Sequence, residues 1–146
     1  MRADIIMLVG LAAVAGAAIT LQGQFMGLMN AHMGPLESLF ITYGGGGFLA
    51  ALLTLAAKGG NLAAWRNTPA YALSAGLLGL LIVGIIGFAV PRMGVARAFP
   101  VIVTFQLVVA ALIDHFGWFQ AVGRPLGFEQ LLGMGLLFGG TWLVLR

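Results

Sequence analysis

Of the chain's 146 residues, 61% are hydrophobic and only 8% charged, and the mean hydropathy is +1.06. Seven basic and four acidic side chains cannot cover the wetted surface of a small soluble domain, so a water-soluble fold is excluded and the chain reads as an integral membrane protein. The net charge of +3 is spread over scattered residues with no basic run for a nucleic acid to meet, and the absence of cysteine excludes disulfides, thiolate metal sites and cysteine nucleophiles.

A helix needs ~20 apolar residues to cross a bilayer core of ~30 Å. The first such stretch runs from Ile5 to Met29. Its "AVAGAA" invites comparison with a leader cleavage region, but Asp4 is out of place in a basic leader and the apolar run continues past it, so a retained span is expected. Along it Gly16, Thr20, Gly23 and Gly27 recur at spacings of four and three, a smooth stripe for close helix packing. Gln22, Gln24 and Asn30 are its polar groups.

The second stretch, Leu36 to Ala57, opens after Pro35 with Glu37 and Ser38. A carboxylate in a first turn complements the positive helix end. Thr42 and Tyr43 follow, and then Gly44 to Gly47 remove side chains for a full turn, which reads as a packing surface or as a hinge beside a cavity. The third stretch, Ala70 to Val90, is almost purely apolar and carries a second smooth stripe at Gly76, Gly79, Val83 and Gly87.

The fourth stretch, Val95 to Asp114, contains "GVARAFPVIVTFQ" at its mouth, with Arg97, Pro100, Thr104 and Gln106. Pro100 removes a backbone donor and is expected to kink the helix, which a membrane tolerates where the freed carbonyl meets protein or water in a cavity. Arg97 is placed either to hold an anionic group there or to snorkel to the interface. Asp114 ends this helix, where negative charge is disfavoured, so hydration or a cationic partner such as Arg124 is expected.

The fifth stretch, Gly127 to Leu145, follows Pro125, places Glu129 in its first turn, and offers Gly135 and Gly139 as a GxxxG pair. Between the stretches, "HMGP", "KGGNLAAWRNTP", "PRMG" and "HFGWFQAVGRPL" carry the breakers that end helices at a membrane surface. Trp65, Tyr71, Trp118 and Trp142 fall at segment ends, where amphipathic rings anchor, and His32 and His115 are read as interfacial rather than as metal ligands. Strands of ~10 alternating residues are absent, which excludes a β-barrel. The expected fold is all-α, a single five-helix transmembrane domain over residues 1–146.

An odd number of spans leaves the two ends of the sequence on opposite faces. Arg2, Lys58, Arg66 and Arg124 then share one face, and Arg92, Arg97 and Arg146 the other. Orientation follows an excess of Lys and Arg on the cytoplasmic side, so this near balance points to insertion both ways up. If Arg97 lies within the membrane, the split instead favours a fixed orientation with the N-terminal end inside. Two copies inserted oppositely form the inverted pair used for alternating access.

The blocks "LQGQFMGLMN", "GPLESLFITYGGGGFL", "VPRMGVARAFPVIVTFQLVVAALIDHFG" and "GRPLGFEQLLGMGLLFGGTWLVLR" together resemble the YdcZ-like family, a five-helix branch of the drug/metabolite transporter superfamily. The likeness covers nearly the whole chain and implies a ten-helix transporter made of two five-helix halves, as paired or dual-topology subunits in the cytoplasmic (inner) membrane. Small four-helix multidrug exporters of that superfamily use a glutamate within their first helix for proton exchange. The first stretch here has none.

The expected function is a secondary transporter, an exporter of a small organic solute, acting as an antiparallel homodimer with its site between the copies. Gln22, Asn30, Tyr43, Arg97, Thr104 and Gln106 are the candidate solute-binding residues, Pro100 the kink, and Glu37 and Asp114 the carboxylates available for ion coupling. No cofactor and no metal are expected. The alternative is a non-transporting membrane scaffold or accessory subunit. A membrane enzyme is not expected, because no paired-carboxylate, HExxH or nucleophile–base arrangement is present.

Overall fold

The computed structural model describes residues 2–146, with side chains from Asp4 onward. It is helical, and five helical segments are long and apolar enough to cross a membrane: Asp4–Met33, Pro35–Ala56, Ala70–Met93, Val95–Phe116 and Phe128–Leu145. The chain divides into two compact units, the first ending at Arg92 and the second beginning at Met93.

In the first unit, α1 spans Arg2–Met33 and α2 spans Pro35–Ala56, packed along one another. At 1.5 Å per residue α1 is about 48 Å long, well over the ~30 Å of a bilayer core. It extends beyond the expected limits at both ends and takes Asp4 into its first turn. Only Gly34 separates it from α2. Its φ of 101° is open to glycine and costly for other residues, and Pro35 then starts α2 where its missing N–H is harmless. The four glycines of α2 leave its helix uninterrupted.

The connection after α2 contains a 3₁₀ turn, Leu62–Asn67, and the third span comes in two pieces, α3 (Ala70–Leu73) and α4 (Ala75–Met93), meeting at Ser74. Pro91, expected in the following loop, lies inside α4. Its ring denies the Gly87 carbonyl its backbone donor one turn back, a loss confined to the last two turns of the helix. Arg92 serves the same end: its guanidinium donates to the Phe88 carbonyl at 2.7 Å and lies 3.5 Å from the centre of the Phe88 ring.

In the second unit, α5 (Val95–Phe116) packs along α6 (Phe128–Leu145). Gly94, with φ 80°, is its entry, repeating the device of Gly34. The helix runs without interruption through Pro100. It ends at Gly117 in the left-handed conformation, and the loop turns back over the helix end: the Arg124 N–H donates to the Asp114 carbonyl at 2.8 Å, and the Leu126 N–H to His115 Nδ1 at 3.3 Å. Glu37 and Glu129 both stand in first turns, as their positions after proline suggest.

Candidate functional site

Polar side chains in these helices have few places to go, since lipid offers them no partner. Within the first unit they meet where α1, α2 and α4 come together. The fully buried hydroxyl of Ser38 donates to Asn30 Oδ1, and the Pro35 carbonyl, 3.1 Å away, competes for the same proton. One turn deeper, Thr42 Oγ1 donates to Met26 Sδ at 2.7 Å.

The smooth stripe of α4 receives these groups. A Cβ on Gly87 would stand 2.6 Å from Asn30 Nδ2, and one on Gly79 would collide with the Tyr43 hydroxyl. On α1, a Cβ on Gly27 would press at 3.2 Å on Pro91. These glycines are therefore notches for specific neighbours. Beside Asn30 a cavity of about 450 Å³ opens, bounded by Pro35, Phe88, Pro91 and Arg92.

The second unit holds a hydroxyl pair between its two helices. Thr104 Oγ1 donates to the Pro100 carbonyl at 2.7 Å and lies 2.7 Å from Thr141 Oγ1, which is itself 3.3 Å from the same carbonyl. Thr104 is only 2% exposed. Thr141 of α6 thus shares the Pro100 carbonyl with Thr104, while the carbonyl that the proline ring deprives of a donor is that of Ala96, one turn earlier. A second cavity, about 340 Å³, lies toward the other end of the pair, with Asp114, Arg124 and Gln130 among its lining groups.

The candidate solute-binding residues fall in three settings. Asn30 and Tyr43 are half-buried against glycine notches, while Thr104 is buried in its bond to Thr141. Gln22, Arg97 and Gln106 are exposed on the chain's surface, the two glutamines well inside their helices and Arg97 in the first turn of α5. Glu37 is exposed, with Oε2 2.7 Å from where a Cβ on Gly34 would be. Asp114 lies in the last turn of α5 and shares its cavity with Arg124. Among the described residues no three His, Asp or Glu side chains form a metal-binding group.

Sequence reasoning passed over Thr141 because it stands alone in an apolar run, and gave Ser38 no more than a place at a helix start. The available signal was that any hydroxyl within such a segment must find a partner. For α4, the smooth stripe was visible, but not which side chains it admits.

Membrane-length helices joined by one-residue glycine turns, with polar groups paired between helices, define a multi-pass membrane protein. The model of the family described as "Putative inner membrane exporter, YdcZ" matches residues 7–143, and the chain belongs to that family. It is accordingly a multi-pass protein of the inner membrane and a transporter by family rather than an enzyme. No curated protein and no solved structure matches it.

Proposed function

We propose that the five spans act as one transmembrane domain of a secondary transporter that exports a small organic solute by alternating access. The observation that carries this reading is the match of residues 7–143 to an inner-membrane exporter family. The working unit is an antiparallel pair of copies, with the solute site between them. Gln22 and Gln106 support the pairing, since amides exposed well inside apolar helices are costly against lipid and are relieved by a facing copy or a polar solute. So do Gly44 to Gly47, Gly135 and Gly139, where an added Cβ would meet nothing within 4 Å among the described residues.

Gln22, Asn30, Tyr43 and Gln106 line the solute path, with Arg97 at its mouth in the first turn of α5. Arg97 sits at the positive end of α5, where a cation is disfavoured unless an anionic group joins it. Thr104 contributes by holding α5 to α6. Of the two carboxylates, Glu37 is the one we assign to ion coupling, because Asp114 shares its surroundings with a guanidinium.

The internal pairing of Ser38 with Asn30 and of Thr104 with Thr141 favours a second reading, a scaffold that moves nothing. Flux of labelled organic anions, cations and zwitterions into proteoliposomes containing only this protein separates the two. Transport predicts saturable flux of at least one class, reduced about tenfold or more by Gln22→Leu or Gln106→Leu with the dimer intact. If the panel gives no flux from intact dimers, the scaffold reading stands.

A further inference from the structure

The cavity in the second unit combines features that no packing role uses. Asp114 and Arg124 both line it, and although the Arg124 N–H holds the Asp114 carbonyl, no ion pair joins the two side chains among the described residues. Gln130 Oε1 is engaged by the Gly127 N–H at 3.0 Å, which leaves its amide N–H groups as donors at the same rim. Leu107, Met134 and Leu137 make the rest of the wall apolar. The residues at one end of this apolar trough carry a carboxylate, a guanidinium and an amide donor, a set that suits an amphiphile carrying both charges.

The position in the chain indicates its source. Asp114 lies in the last turn of α5, next to His115, Phe116 and Trp118, whose rings pack in series: His115 meets Phe116 edge-on at 4.9 Å, and Phe116 stacks on Trp118 at 5.1 Å. A tryptophan at the end of a span, as Trp118 is here, marks headgroup level. Charges at that depth, above apolar walls that run along the span, meet lipid before they meet a dissolved solute.

We propose that this cavity binds the head of a zwitterionic phospholipid with a primary ammonium, a phosphoethanolamine lipid. The Arg124 fork and the Gln130 amide take the phosphate, Asp114 takes the ammonium through its N–H donors, and the trough between α5 and α6 takes the start of an acyl chain. This role is independent of the solute path.

The test is competitive retention, read by native mass spectrometry on the purified full-length protein offered equal amounts of dioleoyl phosphatidylethanolamine and dioleoyl phosphatidylglycerol. An exposed ion pair discriminates by up to about fivefold, so the native protein should retain the ethanolamine lipid about three- to fivefold over the glycerol lipid. Asp114→Asn should abolish that preference and leave phospholipid retention in place, while Arg124→Gln should lower retention of both lipids. Soluble phosphoethanolamine in millimolar excess should fail to displace the lipid. Equal retention of the two lipids by the native protein overturns the proposal without reference to any variant. Unchanged preference in Asp114→Asn, or displacement by the soluble head alone, overturns it as well.

Discussion

At Thr104 a single side chain shows how a polar group is made tolerable in a membrane helix. Its hydroxyl serves the Pro100 carbonyl and meets Thr141, so both hydroxyls are spent inside the pair of helices. Thr104→Val keeps the shape and removes both interactions, and should destabilise the folded protein by about 1 kcal/mol. Thr141→Val should cost a similar amount, and the double variant should cost less than the sum, because the two share one bond. Unfolding in mixed micelles measures all three; additive losses would show that the hydroxyls act separately. Ser38→Ala should likewise cost about 1–2 kcal/mol, since it strips a buried partner from Asn30. The sequence made these residues easy to enumerate and hard to pair. Rotation of each helix decides who meets whom, and an apolar segment with one threonine carries no periodicity from which to read that rotation. The same limit applies to Asp114, for which hydration or a cationic partner such as Arg124 is expected and where the bond seen is from the Arg124 N–H to the Asp114 carbonyl.

Whole elements were more legible, because twenty apolar residues in a row admit few alternatives to a span. Their ends were less so. "HMGP" and "PRMG" read as loops, yet each turn takes only one glycine, and the helices run on through Met33, Pro91 and Met93. Breaker residues mark where a chain can stop, whereas positive φ is what lets it turn in one residue. The smooth stripe of α4 yields an element-scale prediction. Alanine at Gly87 must displace Asn30, which Ser38 holds in place, and should cost about 1–3 kcal/mol by overpacking. At Gly79 the neighbour is the tip of Tyr43, for which no holding bond is seen among the described residues, so the cost there should be smaller. Gly76 has nothing within 4 Å, and alanine there should be neutral or slightly stabilising, since it removes the helix penalty of glycine. Thermal unfolding in one detergent should rank the three variants in that order. A Gly87→Ala protein as stable as Gly76→Ala would mean that α4 does not seat against Asn30.

For the molecule as a whole, the decisive quantity is the balance of cations across the membrane. Alternation through five spans assigns Arg2, Lys58, Arg66 and Arg124 to one side and Arg92, Arg97 and Arg146 to the other. Orientation is set by the difference between sides rather than by the total, so four against three leaves little to fix it. Two of these cations are already engaged at helix ends, Arg92 with the Phe88 carbonyl and Arg146 with the face of Trp142 at 3.7 Å. Such contacts hold a guanidinium near the interface without removing its charge, and they weigh on both orientations alike. An antiparallel pair then requires only that both orientations occur in one membrane. The chain has no cysteine, so single cysteines placed at Asn61, in the connection after α2, and at Leu145, at the end of α6, report on opposite sides without background and without changing the charge. With both orientations present, an impermeant thiol reagent added to intact cells should label a fraction of each variant, and the remainder should react only after permeabilisation. Adding one lysine near Lys58, at the exposed Leu62→Lys, should shift the fractions toward the orientation with that connection in the cytoplasm, and adding one at Met93→Lys should shift them the other way. Labelling of each native-charge variant from one side only, unmoved by either lysine, would establish a fixed orientation and remove the antiparallel pair as the transporting unit.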